Sequence, residues 1–514
     1  MKRLIAALYR YARAIIIVIA VALAVTLVSV VSIDLGPTLK ARAEQAGGNW
    51  LERRMQIGRL GVQLGRGRFI VEDLVIDGMR PDEEPWLVAK RIEVSLTWGA
   101  LLHREVLLDT IEMTGWRMVV ETFPDGRQTF PRVTGPPRPP RTGPAPVVTT
   151  AQYVRASAGE FVFRDHGAPW SAVARNLDVT VSKLVDYRGH VTFSNGTVTV
   201  QDFVPMTAAL DAVFKIQGGQ VVFEQMGLVT DGARSDVTGT VDLGRWPEQT
   251  YFVKSRVQFP RMREIFFAGE AFSLRGDGDF NGTFHLFKGG RELTGDFYSR
   301  EAGLNQLRFP DLEGSLIWVP DRFEVTRATS RFSDGRTAFS YRMAPLGDAL
   351  RPARARFEVE YTDIDLHALT DVLETTGIRL AGRATGRNRL DWPMGRFADR
   401  EGDGSVVVTP PPGLVPLGPR LPALAGREAA ERALELGPFS DHIPLQPVGL
   451  GGRLTYRFDS EVIRLESGEV ATADTFVAFE GATAWGERSK IGFRVTSTNW
   501  QESDRLLAGL MTAF

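Results

Sequence analysis

The chain has 514 residues, with 61 Lys and Arg against 62 Asp and Glu, and this formal net charge of −1 gives no case for nucleic-acid binding. At 43% hydrophobic and 24% charged it is a folded chain rather than a disordered tail, long enough for roughly two to four ordinary domains or one elongated one. Cysteine is absent, which removes disulfides, thiol catalysis and Cys-ligated zinc together, while 52 Gly and 29 Pro supply the turns that a β-rich chain needs.

Residues 14–33, AIIIVIAVALAVTLVSVVSI, carry no charge, and only Thr26, Ser29 and Ser32 interrupt them. At about 1.5 Å rise per residue, a helix of this length covers about 30 Å, the thickness of a bilayer's hydrocarbon core. The run is therefore predicted to be a transmembrane anchor. Lys2, Arg3, Arg10 and Arg13 precede it in residues 1–13, and Asp34 follows. The positive-inside rule then places the N-terminus in the cytoplasm and the bulk of the chain across the membrane. A cleaved signal peptide would have an apolar region of only about 7–15 residues ending at a small-x-small site. This run is longer, and SVVSID is a poor cleavage site.

Residues 34–130 open with TLKARAE at 38–44, read as a short helix ending before Gly47-Gly48. Short alternating segments follow: IGRLGVQL from Ile57, FIVEDLVI from Phe69, PWLVAKRIEVSL from Pro85, VLLDTIEM from Val106 and WRMVVE from Trp116. WGALL at 98–102 reads as a helical turn, and Asp125-Gly126 as a tight turn.

This order of elements, an anchor, the IGRL strand, PWLVAKRIEVSL, a Leu-Leu-His-Arg-Glu turn and then VLLDTIEMTGWRMVVE, resembles the N-terminal region of the AsmA/TamB superfamily of bacterial envelope proteins. The resemblance covers about residues 1–130. It implies a chorein-like start to an elongated, taco-like β-groove anchored in the inner membrane. It also implies a place in outer-membrane protein assembly or phospholipid traffic.

Residues 131–148, PRVTGPPRPPRTGPAPVV, hold seven prolines in eighteen and read as a linker or exposed loop. From 149 to 408 β-segments continue. Leu177, Val179 and Val181 alternate onto one face. Val191–Val200 reads as a hairpin turning at Asn195-Gly196, and Asp231-Gly232, Asn281-Gly282 and Asp334-Gly335 read as further turns.

Internal repeats are the next signal. Val222 with Asp231, Val325 with Asp334 and Leu465 with Asp474 each place an aliphatic residue nine positions before an Asp at a turn. A second unit pairs Leu274-Arg-Gly and Asn281-Gly282 with Leu380-Ala-Gly and Gly386-Arg-Asn388. Each copy follows a short amphipathic helix, 262–268 or 366–375. Residues 409–449 are a Pro-rich excursion with a short helix at 427–436, and residues 450–514 resume the β-repeat. The 493–507 segment resembles 357–369, with Phe493, Val495 and Thr498 matching Phe357, Val359 and Thr362. The last unit is therefore expected to stop partway through a repeat, as the N-terminal part of a longer groove or as an end that docks a partner; the alternative is that the apolar helix at 503–512 plugs the groove with its Leu face.

Phe357, Val359 and Tyr361 alternate with Arg356, Glu358 and Glu360, and Leu454, Tyr456 and Phe458 repeat the pattern. Each strand has one apolar and one solvated face. Periodicity alone leaves open whether protein or lipid covers the apolar one.

No catalytic signature is present. The six histidines are far apart in sequence, and Asp165-His166 and Asp441-His442 are adjacent residues that point to opposite faces of a strand. Gly276-Asp-Gly-Asp and Gly402-Asp-Gly lack the terminal Glu of a calcium loop and read as turns.

The expectation is a mainly β, elongated, repeat-built antiparallel groove, open along one side, with short punctuating helices and one N-terminal transmembrane helix. It is not an enzyme and takes neither cofactor nor metal. Its partners are the inner membrane and phospholipid acyl chains, and the groove face is lined by Leu177, Val179, Val181, Phe357, Val359, Tyr361, Leu454, Tyr456 and Phe458. The alternative is a scaffold for assembling or secreting outer-membrane β-barrel or autotransporter proteins by strand addition.

Overall fold

The structure, a computed structural model, describes residues 36–506 apart from 64–66, 81, 97–104, 131–147, 168, 184, 349, 373–378, 420–446, 485–488, 500 and 505. The anchor at 14–33, its flanking Lys2, Arg3, Arg10 and Arg13, and the predicted helices at 98–102 and 427–436 lie outside these residues. Among the described residues no helix is long and apolar enough to cross a membrane.

The chain is mainly β, and among the described residues 24 strands form one sheet. Pairing follows the sequence, hairpin by hairpin, from Met55–Gln63 to Lys490–Ser497. The two-residue strand Leu274–Arg275 is tucked against Gly290–Leu304. The expectation of a wholly antiparallel sheet is corrected at one place. Glu105–Thr122 pairs in parallel with Val148–Asp165, from Glu105 opposite Val148 to Thr122 opposite Asp165. Parallel neighbours need a crossover of about a dozen residues or more. Residues 123–147 are that connection, and the predicted Pro-rich linker lies, but for residue 148, outside the described residues.

Among the described residues, helices punctuate the sheet at α1 (Gly36–Leu51), α2 (Phe259–Phe266) and α3 (Leu366–Val372), and residues 501–504 and 506 are also helical. α1 runs through Gly47-Gly48 rather than stopping before them. A Cβ at Gly47 would strike the Met55 side chain, so this glycine serves a close approach and not a stop. α2 begins with Pro260 in its first turn, where a missing N–H costs nothing. α3 is capped by Asp365, whose Oδ1 accepts from the N–H groups of His367 at 2.8 Å and Ala368 at 3.2 Å. After α2 and α3 the chain makes a two-residue strand, Leu274–Arg275 or Leu380–Ala381, and then a glycine with positive φ before a long strand. The second repeat thus recurs as a local succession of elements, although Leu274–Arg275 pairs with Gly290–Leu304 of the main sheet and Leu380–Ala381 pairs in parallel with Val448–Gly449 in a separate two-stranded sheet.

Two predicted turns are corrected. Asn195-Gly196 and Asn281-Gly282 lie inside the continuous strands Tyr187–Val200 and Asp277–Phe287. In both, the glycine accommodates a neighbouring ring: a Cβ at Gly196 would strike Phe193, and one at Gly282 would strike Phe280. Gly276 and Gly402 are likewise no calcium loops or turns of their own. Asp277 and Asp279 lie on an exposed face and pair with Arg256 at 2.8 and 2.9 Å.

Because consecutive strands alternate in direction, the turns fall on two rims. The first rim carries the turns after Glu105–Thr122, Val148–Asp165 and Tyr187–Val200, and also α2 and α3. The turns at Asp231, Asp334 and Asp474, the marks of the first repeat, lie on the same rim. The second rim carries the turns near 243–248, 288–289, 320–321 and 394–400.

Candidate apolar binding face

Residues paired across a ladder share a face, so register decides which of the alternating apolar residues meet. Val179 pairs with Val191, and the row continues through Ala212, Met226, Val237, Val253, Gly282, Gly295, Leu316, Val325 and Tyr341 to Phe357. Beyond Phe357 it passes through Leu390 and Gly402 to Phe458 and Ile463. In the other direction it runs back through Ala156, Met113, Ile92 and Val71 to Leu60. No charged side chain interrupts it, and its only polar group is the Tyr341 phenol. At about 4.8 Å between strands, the row covers roughly 100 Å of sheet.

Neighbouring rows hold the other predicted residues. Val359 is linked through Asn388 and Gly404 to Tyr456, and Tyr361 through Gly386 and Val406 to Leu454. Val181 leads through Gly189 and Phe214 toward an aromatic series that includes Tyr251, Phe284, Trp318 and Trp392. Leu177 is buried beside Trp116 and Val179. The nine sequence-predicted residues therefore lie on one face of one sheet.

Two glycines let the rings lie flat. A Cβ at Gly386 would meet Tyr361, and one at Gly404 would meet Tyr456. Each tyrosine spends its hydroxyl locally: Tyr456 donates to Asn388 Oδ1, and Tyr361 to the Ser405 carbonyl at 3.5 Å. Burial holds the phenols of Tyr361, Tyr456 and Tyr341 above the ordinary tyrosine value, so they stay neutral.

The opposite face is solvated and ionic. Arg356 Nε sits 2.8 Å from Asp391 Oδ1, Arg389 lies between Glu358 and Asp391, and Arg453 reaches Glu469 at 2.8 Å. Such a face needs no covering layer. Among the described residues the apolar face has none over most of its length. The other sheet among them has two strands, and the hydrophobic clusters join strands of the main sheet with short terminal or rim segments: α1 at one end, and α3, Leu380, Leu450 and Leu506 toward the other. Phe357, Val359, Tyr361, Leu454, Tyr456 and Phe458 stay half-buried, while Arg356, Glu358, Arg453 and Arg457 are exposed. A sandwich core would bury the first set completely.

The two ends differ from the middle. α1 places Ala43 and Leu51 on the cluster around Ile57, Leu74 and Trp116. Leu506, fully buried, packs against Leu465, Val477 and Phe479 at the other end.

The sheet also coils, which corrects the expectation of a groove open along one whole side. The first rim meets the second rim of strands much further along. Phe130 stacks on Trp246 at 4.8 Å. Gln201 Nε2 donates to the Pro320 carbonyl at 2.6 Å, and Phe203 and Phe266 meet Trp318 edge-on at 6.4 and 5.4 Å. Glu270 Oε1 accepts from Trp392 Nε1 at 3.0 Å and from the Gly395 N–H at 2.9 Å. Trp318 and Trp392 belong to the apolar rows, so that face is the inside of the coil. The sequence reading did not find these seam residues. The isolated tryptophans Trp246, in the 243–248 turn, and Trp318 and Trp392, near strand ends, were the available signal.

No catalytic constellation emerges among the described residues. His166, His190 and His285 each meet one carboxylate, Glu121 at 3.2 Å, Asp211 at 2.9 Å and Glu248 at 2.8 Å, in three separate places. No group of His, Cys, Asp and Glu among the described residues could hold a metal. Compared with known proteins, the chain matches no family model, no curated protein and no solved structure.

Proposed function

We propose that this chain is an inner-membrane-anchored periplasmic β-groove that supports outer-membrane biogenesis by carrying phospholipid between the two membranes, its acyl chains held on the apolar face. The observation that carries the reading is the uninterrupted apolar row from Leu60 to Ile463 on the inner face of one coiled sheet, with no second large sheet against it among the described residues. A concave, mostly apolar surface is where ligands bind. Each CH₂ kept from water is worth about 0.8 kcal/mol, so sheltering an acyl chain of about fourteen carbons is worth about 11 kcal/mol. The resemblance of residues 1–130 to the AsmA/TamB superfamily and the apolar run at 14–33 support the same reading. Its test is a photocrosslinker placed at Val359 or at Glu358. Lipid captured at Val359 and not at Glu358 is the expected result; equal labelling, or none at either, would show a face closed by protein.

A second reading, a scaffold for outer-membrane β-barrel or autotransporter proteins, draws on the strand Lys490–Ser497. Among the described residues it pairs on one side only, with Thr475–Thr483. An unpaired edge is a template for strand addition. Crosslinks from residue 494 to a β-barrel substrate, with none of lipid from Val359, would favour this reading over the first.

A further inference from the structure

The seam holds a group that the groove reading does not use. Glu270 follows α2 on the first rim and is only 3% exposed. Its Oε1 is committed to Trp392 and Gly395 of the opposite rim, but its Oε2 is buried without a hydrogen-bond partner. No basic side chain among the described residues pairs with it. The nearby Arg263 gives its donors to the backbone carbonyls of Glu270 and Phe272, fixing the segment rather than neutralising the carboxylate.

Glu270 lines a cavity of about 230 Å³ at the seam, whose other walls include Phe203, Ile265, Phe266, Phe267 and Met394. Phe203 and Phe266 meet edge to face at 5.1 Å, and Phe267 lies 6.1 Å from Tyr341 of the apolar face. A buried carboxylate oxygen without a partner is costly. An aromatic wall attracts an organic cation far better than it attracts water or an anion. The cavity therefore has the buried, unpartnered oxygen of Glu270, a second carboxylate at the exposed Asp202, and apolar aromatic walls, of which Phe267 borders the apolar face at Tyr341.

We propose that this cavity is a binding site for an alkylammonium group, Glu270 supplying the counter-charge and the Phe203, Phe266 and Phe267 rings the walls. The proposal rests on the groove reading for one of its sources. An ammonium-bearing lipid headgroup would seat at the seam while its acyl chain lies on the rows around Tyr341 and Phe357. A free amine of the same chemistry would occupy the cavity alone.

The full chain in an uncharged maltoside detergent is titrated with lysophosphatidylethanolamine, with lysophosphatidylglycerol and with ethanolamine hydrochloride, by calorimetry. Wild type is expected to bind the ammonium lysolipid about fivefold or more tighter than the phosphoglycerol one. Glu270→Gln keeps an oxygen for Trp392 and Gly395 but loses the charge. It should erase that preference, leaving phosphoglycerol binding unchanged and the melting temperature no lower. Equal binding of the two lysolipids by wild type together with no binding of ethanolamine would overturn the proposal. So would a preference that survives Glu270→Gln, or a variant that loses both lysolipids alike, since Glu270 would then be only a seam clamp. Ethanolamine bound by wild type and lost in Glu270→Gln, with neither lysolipid bound, would keep the cavity as an amine site and reject the groove reading.

Discussion

The Glu270 carboxylate accepts a 3.0 Å hydrogen bond from the indole N–H of Trp392, 122 residues further along the chain. The bond is buried and joins opposite rims of the sheet, so it fixes the coil at that point. Replacing Trp392 by Phe keeps the ring's bulk but deprives a buried acceptor of a donor, which should cost about 1–3 kcal/mol. Hydrogen exchange should quicken at Gly395 and across 267–272 before it does elsewhere. Unchanged protection there would mean that the seam does not depend on this bond.

The two faces should respond differently to mutation. Val359→Asp puts a charge on a row linked through Asn388 and Gly404 to Tyr456, and it should abolish lipid capture, because an unpaired charge is costly in an apolar lumen. Glu358→Asp should leave capture intact. On the outer face, Arg356→Ala removes an exposed ion pair with Asp391 and should change stability by less than about 1 kcal/mol. A larger effect of Arg356→Ala than of Val359→Asp on lipid capture would contradict the assignment of faces.

Gly404→Val should be destabilising without any change of charge. A Cβ there meets the Tyr456 ring and Asn388 Oδ1, so the ring must lift from the sheet. Overpacking of this kind costs about 1–3 kcal/mol. Denaturant midpoints of Gly404→Val alone and with Tyr456→Ala test the cause: the second change should recover most of the loss, and failure to recover it would place the strain elsewhere.

The C-terminal end carries a pH signature. Burial raises the Glu502 carboxyl above its ordinary value, although Thr472 donates to it, and Asp474 adds to the rise. Its folded form thus holds a proton more tightly than its unfolded form. Stability is then lost as pH rises from the ordinary Glu value, about 4.3, through the folded value. Glu502→Gln cannot titrate and still accepts from Thr472. Its stability advantage over wild type, read from denaturant melts between pH 4 and pH 7, should widen as pH rises. An advantage that shrinks toward neutrality would reverse the sign argued here.

Reporter fusions test the membrane reading. With Lys2, Arg3, Arg10 and Arg13 before the apolar run at 14–33, a fusion after residue 60 should be active only in the periplasm. Cytoplasmic activity at that position would invert the orientation.

The alternation of Phe357, Val359 and Tyr361 with Arg356, Glu358 and Glu360 could be read from the sequence, because side chains alternate along a strand whatever it pairs with. Turns at Asp231-Gly232 and Asp334-Gly335, and the helix–short-strand–glycine unit repeated after α2 and α3, were equally local and equally legible. Asn195-Gly196 and Asn281-Gly282 misled, because the same dipeptide that favours a turn also makes room for a ring, and only the neighbouring Phe193 or Phe280 decides between them. The common row of Val179, Phe357 and Phe458 was beyond any local pattern, since a slip of one residue at any intervening ladder would have moved part of it to the solvated face. The parallel step between Glu105–Thr122 and Val148–Asp165, and the meeting of Glu270 with Trp392, depend on which distant segments the coiled sheet brings together. Local periodicity determined what each strand presents; register and coiling, which are long-range properties, decided that those faces join into one track and where its rims close.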